Sequence, residues 1–264
     1  MFILSLPILG GNLTNKIEIQ IKRVLLMWSE VRNLIDEIDY GTPPREGSLV
    51  NLTIDGVNVS VPEKSSIMYA AAVAGIPISK LCATDTLEAF GSCRVCLVEI
   101  EGKSGYPASC TTPVSDGLVV RTTSDKLDQI RRGVLELYLS DFPPGEIADG
   151  WSEFHETLKK EGVSRHRYGQ GKNHYDALLD ISNPYFLFDP SKCIVCSRCV
   201  RACSEIQGTF ALSISGRGFE SAVNAGQDDN FLESECVSCG ACVQACPSHA
   251  LVEKSLFEGE YKHV

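Results

Sequence analysis

The feature that most constrains this chain is the placement of its cysteines. There are 12 of them among 264 residues, and they fall in three groups of four separated by long cysteine-free stretches. The groups are Cys82, Cys93, Cys96 and Cys110; Cys193, Cys196, Cys199 and Cys203; and Cys236, Cys239, Cys242 and Cys246. A secreted disulfide scaffold would also carry an even number of cysteines, but thiols set two residues apart in tight runs read as metal ligands in a reducing compartment.

A length of 264 residues suits one to three small domains, and a hydrophobic content of 44% suits a folded core. Formal net charge is −10 with cysteine counted as neutral. Each four-thiolate cluster would add roughly −2, which makes a loaded protein more acidic still and argues against nucleic-acid binding. Met1 to Gly11 is apolar. It is too short to span a bilayer and lacks the basic start and cleavage site of a secretory signal. The expectation is a cytoplasmic protein with no direct membrane insertion.

Four segments follow from the patterning. Residues 1–46 form an N-terminal extension, in which Ile17, Ile19 and Ile21 alternate and Val24, Trp28, Val31, Ile35 and Ile38 follow helical spacing. Met27 is an alternative start. Residues 47–123 read as a small α+β domain. Val50, Leu52 and Ile54 alternate, Asp55-Gly56 turns, and Val57, Val59 and Val61 alternate back. A helix from about Ser65 to Ala74 stops at Gly75, and Arg94–Ile100 and Leu118–Arg121 are further strand candidates. Residues 124–185 open with a helix carrying Leu127, Ile130, Val134, Leu135 and Tyr138 on one stripe, then turn polar after Pro143-Pro144 and read as a helical linker. Residues 186–264 hold two similar cysteine runs, an internal repeat.

The first set has the spacing C-x10-C-x2-C-x13-C. A [2Fe–2S] cluster takes some thiolates from one loop and another from a distant point in the fold. Gly91 and Ser92 precede Cys93, and residues that small let backbone N–H groups approach the cluster. The competing reading is a zinc site, which usually uses two short knuckles; one C-x2-C with two isolated cysteines fits that poorly.

The second and third sets both read C-x2-C-x2-C-x3-C, the third followed by Pro247. This is the signature of bacterial two-[4Fe–4S] ferredoxins, in which the fourth cysteine of each run ligates the other cluster. One cluster is then assigned Cys193, Cys196, Cys199 and Cys246, and the other Cys236, Cys239, Cys242 and Cys203. Arg198 and Arg201 lie within the first run, either as cations that raise a potential or as solvated charges. Gly216-Arg217-Gly218 lacks the spacing of a nucleotide-binding loop and reads as a turn.

The stretches Leu81–Asp85, Phe90–Glu99, Pro107–Pro113, Phe188–Cys199 and Glu235–Pro247 together resemble the N-terminal iron–sulfur region of NAD-dependent formate dehydrogenase alpha subunits. More distantly they resemble the large iron–sulfur subunit of complex I and hydrogenase diaphorase subunits. The resemblance implies a β-grasp [2Fe–2S] ferredoxin-like domain, a helical linker and a bacterial 2×[4Fe–4S] ferredoxin domain. With the three cysteine sets it implies one [2Fe–2S] and two [4Fe–4S] clusters, and no residue of the chain reads as a catalytic acid, base or nucleophile. It also implies two partners: a molybdopterin (Mo or W) catalytic subunit, and a flavin/NAD subunit on the [2Fe–2S] side. Two departures stand out. The family's His-plus-three-Cys cluster site has no counterpart, because Asp141-Phe142-Pro143 replaces its Asp-His-Pro and only His155, His166 and His174 follow. The sequence also stops at Val264, where the family runs on into a catalytic domain, so that domain is expected on another polypeptide.

Overall fold

The computed structural model describes residues 39–143, 152–171 and 178–257. The expected extension helix and strand, Met27 and His174 lie outside those residues.

The hairpin forms where the alternation places it. β1 (Leu49–Ile54) pairs antiparallel with β2 (Val57–Pro62). Asp55 and Gly56 turn the chain at φ 48° and 82°, the paired positive dihedrals that match hairpin twist. Alternation sends Leu52, Ile54, Val59 and Val61 into the core. Helix α1 (Ile67–Val73) starts at Ser66, whose hydroxyl accepts from the Tyr69 amide at 3.0 Å, and ends before Gly75 at φ 73°. Strand β3 is Glu99–Ile100 and β4 is Val119–Arg121. β4 runs parallel to β1 and antiparallel to β3, giving a mixed sheet in the order β2-β1-β4-β3. Ile67, Ala70 and Ala71 of α1 cover it against Val98, Ile100 and Val120.

The candidate strand Arg94–Ile100 is shorter than its apolar run suggests. Arg94 has φ 57°, and only Glu99 and Ile100 join the sheet. The preceding residues curl because Cys93 and Cys96 must face the same point, which an extended chain cannot achieve with two residues between them.

Helix α2 (Asp125–Ser140) is capped by Ser124, which accepts from the Leu127 amide, and it buries Leu127, Arg131, Leu135 and Leu139. Helix α3 (Glu153–Lys160) buries Phe154, Thr157 and Leu158. The expected linker is therefore, in its described parts, a packed layer. Phe142, Phe154, Leu158 and Val163 share one core with Leu81, Cys82, Cys93, Ile194 and Cys196. The polar composition hid this, because a four-residue Phe-Leu spacing on one short helix is enough to bury a face.

The last segment is built as a repeat. β5 (Phe186–Phe188) pairs antiparallel with β8 (Leu251–Glu253), closing the ends of the segment on each other. Helix α4 (Arg198–Arg201) widens into a π-helical turn over Ala202–Gln207. Strands β6 (Leu212–Ser215) and β7 (Ala222–Ala225) form a hairpin whose connection contains Gly216 at φ 70° and Gly218 at φ 61°, so the Gly216-Arg217-Gly218 run is a turn. Helix α5 (Ala241–Ala245) mirrors α4, each following a left-handed residue, Ser197 or Gly240. All described residues belong to one compact unit, Asp39–Val264. Among them no helix is long and apolar enough to cross a membrane.

Phe154 is fully buried, with its ring 5.1 Å from Phe142. Replacing it by alanine is expected to cost about 3–5 kcal/mol by leaving a cavity. Urea unfolding of F154A checks this, and the midpoint should drop without loss of cooperativity.

Candidate metal centres

The first four cysteines converge in the interior. Cys82, Cys93, Cys96 and Cys110 are each at most 2% exposed, although three separate loops carry them. The sulfurs of Cys96 and Cys110 lie 3.4 Å apart, and the Cys93 amide donates to the Cys82 sulfur at 3.5 Å. Contact with Cys110 and then Cys93 pulls the Cys82 thiol far below its ordinary range. Cys96 is pulled down to about 7, chiefly by Cys110. Cys93 and Cys110 are pushed up in return, first by their contacts with Cys82. Four buried thiols that share protons in this way form a donor set suited to a positively charged metal core.

The second and third sets are interleaved. The thiols that disfavour a charge at Cys193 and Cys196 include Cys246, which belongs to the other run. Those around Cys236 are Cys203 and Cys239. Cys203, Cys236, Cys239 and Cys242 line one cavity, walled by Phe186, Ala211 and Phe231. Burial pushes Cys193 and Cys199 well up, Cys196 up to about 12 and Cys242 up to about 12. Cys239 alone among the 12 is exposed. No three His, Cys, Asp or Glu side chains among the described residues close on a single point that would grip one bare ion.

The backbone around these sulfurs is bent in a repeated way. Val195 and Ser197 have φ 49° and 67°; at the matching places in the other run, Ser238 and Gly240 have φ 55° and 77°. A β-branched residue such as Val195 rarely adopts that region. The geometry turns amides toward sulfur. Val195 N–H donates to Cys193, Ala211 to Cys203, Ser238 to Cys236 and Leu251 to Cys246, at 3.3–3.5 Å. Amides that donate to sulfur favour its anionic form.

Amides that turn inward send carbonyls outward, and buried carbonyls need donors. Side chains supply several of them, a role that sequence reasoning did not assign to any of these residues. Arg131 of α2 is 4% exposed and donates to the carbonyls of Val95, Leu97 and Thr122 at 3.0–3.3 Å. The Tyr138 hydroxyl donates to the Cys93 carbonyl at 3.3 Å, and the Ser92 hydroxyl donates to the Cys196 carbonyl at 3.1 Å. Arg198 donates to the Ala83 carbonyl at 2.9 Å, and Arg201 donates to the carbonyls of Cys82 and Glu88. The solvated reading of Arg198 and Arg201 is thereby overturned: both are buried because the loop of the first cysteine set lies across them.

Two of the described histidines engage neighbouring groups. His155 shares a hydrogen bond of 2.7 Å with Ser152 and stacks edge-on against Phe142, with centroids 5.6 Å apart. The ring nitrogen Nδ1 of His166 lies 2.6 Å from the Tyr168 carbonyl oxygen. Phe142, Phe154 and Tyr138 form an aromatic cluster behind Cys93 and Cys196.

Residues 47–125 match the model of the 2Fe-2S iron-sulfur cluster binding domain, and residues 192–250 match that of the 4Fe-4S dicluster domain. These two domains in tandem define an iron–sulfur protein. The chain is 30% identical to a chain in the crystal structure of an NAD+-reducing [NiFe]-hydrogenase in the H2-reduced state. The TM-score is 0.70, over 78% of this chain and 88% of that one. It is 39% identical over 216 residues to the NADP-reducing hydrogenase subunit HndD of Solidesulfovibrio fructosivorans, covering 78% of this chain and 36% of the relative. It is 33% identical over 177 residues to the mitochondrial 78 kDa subunit of the NADH-ubiquinone oxidoreductase of Candida albicans, covering 66% of this chain and 25% of the relative. The chain belongs to the family of iron–sulfur electron-transfer subunits shared by NAD(P)-linked hydrogenases and complex I-like oxidoreductases. It spans about a third or less of the length of the curated relatives it matches. None of these relatives carries formate dehydrogenase in its name, so that finer resemblance rests on the motifs alone.

Gly91 adopts φ 73°, and a Cβ there would come within 3.1 Å of the Thr111 methyl. Gly91→Ala is expected to cost about 1–2 kcal/mol from the left-handed backbone alone. In reconstituted G91A, the visible circular dichroism of the first centre should decay faster under chelator while the dicluster signals decay at the wild-type rate.

Proposed function

We propose that this chain is an electron wire: one [2Fe–2S] cluster held by Cys82, Cys93, Cys96 and Cys110, and two [4Fe–4S] clusters held crosswise. Cys193, Cys196, Cys199 and Cys246 hold the first cubane; Cys236, Cys239, Cys242 and Cys203 hold the second. The observation that carries the reading is that the three cysteine sets are adjacent links in one packed interior. Cys82 and Cys93 share a core with Cys196, and Cys199 shares the next core with Cys203 and Cys242. Cys93 and Cys193 line one cleft. Electron tunnelling falls steeply with distance, so centres linked this way conduct in series. The clusters supply the one-electron chemistry; the chain supplies thiolates, inward amides and an apolar wall that excludes water. We read the mixed sheet with α1 across it as the β-grasp frame of the first domain.

The wire serves a multi-subunit NAD(P)-linked oxidoreductase, by analogy with the hydrogenase and NADH-ubiquinone oxidoreductase relatives. A flavin/NAD subunit stands at the [2Fe–2S] end and the catalytic subunit at the other. The motif resemblance favours a molybdopterin formate dehydrogenase as a second reading of that catalytic subunit. Mass spectrometry of the native complex separates the two: a hydrogenase large subunit supports the first, and a molybdopterin subunit supports the second. Twelve thiols reserved for iron favour a reducing compartment, the cytoplasm, for the whole assembly.

Anaerobic reconstitution is expected to yield about ten irons per chain. EPR of C203S should lose the cluster of Cys236, Cys239 and Cys242, and C246S that of Cys193, Cys196 and Cys199. Loss of each run's own cluster instead would show that the runs bind independently.

In the assembled complex, C93S is expected to abolish NAD-linked turnover and to spare dye-linked turnover at the catalytic subunit. Unchanged NAD-linked rates would take the [2Fe–2S] cluster off the main path.

A further inference from the structure

Arg201 is a buried cation without a carboxylate partner among the described residues. Its side chain is 8% exposed, and its guanidinium donates to the carbonyls of Cys82 and Glu88 while Nε finds no acceptor. No described acidic side chain lies within ion-pair distance of it. Its neighbour Arg198 is 2% exposed and lies near the Cys196 thiol, but it is paired: Glu153 grips it with two hydrogen bonds of 2.9 and 3.0 Å. Glu153 is 40% exposed, and a buried charge held by such a partner is largely neutralised, whereas an unmatched buried charge is strongly unfavourable unless something of opposite sign lies near.

The position of Arg201 identifies that counter-charge. It sits on α4, two residues after Cys199 and two before Cys203, which belong to the first and second [4Fe–4S] sets. Its guanidinium rests on the carbonyl of Cys82, a member of the [2Fe–2S] set. One cation thus touches or flanks a ligand of every proposed cluster. Four-thiolate clusters are anionic and become more so when reduced.

We propose that Arg201 is the shared counter-ion of the three clusters, a positioning and tuning residue that keeps adjacent centres reducible despite their mutual repulsion. The inference rests on the cluster reading above. With clusters loaded, the cation stabilises each added electron.

The test uses the full chain, reconstituted anaerobically, with iron content and EPR recorded before any titration. Wild type, R201Q, R201K and the double variant R198Q/E153Q are compared by EPR-monitored redox titration. R201Q is expected to shift the midpoint potentials of all three clusters downward, and R201K to restore most of the shift. R198Q/E153Q removes a matched pair and a similar contact, to the Ala83 carbonyl, and should leave the potentials near wild type. Equal shifts in R201Q and the double variant would reduce Arg201 to a packing role and overturn the proposal, as would loaded R201Q with unshifted potentials. A wild type that holds no clusters overturns the cluster reading and this inference with it, and the iron assay separates that outcome from the others.

Discussion

The constraint on which the structure depends is the reversal of backbone polarity around the cysteines. Amides face the sulfurs, as at Val195, Ala211, Ser238 and Leu251. Carbonyls must then face the protein, where no regular ladder receives them. A buried carbonyl left without a donor costs about 1–3 kcal/mol, so each loop needs a side chain brought from elsewhere. Arg131, Tyr138, Ser92, Arg198 and Arg201 meet that need. The long helix α2 exists where it does because Arg131 and Tyr138, seven residues apart on one face, reach two successive parts of the Cys93–Leu97 loop.

The same donors join the ferredoxin-like halves. Ser92 reaches from the first domain to Cys196; Arg198 and Arg201 reach back to Ala83 and Cys82; the Phe154 amide donates to the Pro247 carbonyl at 2.9 Å. The contacts that complete the cysteine loops are thus also the contacts that set the spacing between centres. A protein in which electrons must pass between sites cannot let those sites drift, and here loop formation and domain docking are one event. The aromatic group Tyr138, Phe142 and Phe154 packs behind the first two sets and holds that spacing.

Regular structure in this chain is sparse. The sheet strands beyond the first hairpin are two to four residues long, and helices α4 and α5 are only four and five. Elements this short bury too little apolar surface to stand alone, and small folds of this kind draw stability from metal binding. The positive backbone angles at Arg94, Val195 and Ser238 are local costs of order 1–3 kcal/mol each. They are tolerable when thiolate–iron bonds form at the same loops.

Much was legible without coordinates. The Asp55-Gly56 hairpin, the helix stop at Gly75 and the alternation of Leu52 and Ile54 are local effects, set by dihedral preference and by a period of two or 3.6. The cysteine sets were legible because ligand spacing is a property of a short loop. What local pattern could not show was which distant groups meet. A buried arginine and a solvated one look alike in a sequence, so Arg131, Arg198 and Arg201 declared themselves only when loops from other parts of the chain covered them. The polar stretch after Pro143 hid a packed helix for the same reason. Burial of Phe154 depends on a surface that residues 81–96 and 194–196 create jointly. Spacing determined what the chain can bind; tertiary contact alone decided how close the sites lie and which charge stands between them, because distance and dielectric are properties of the assembled interior.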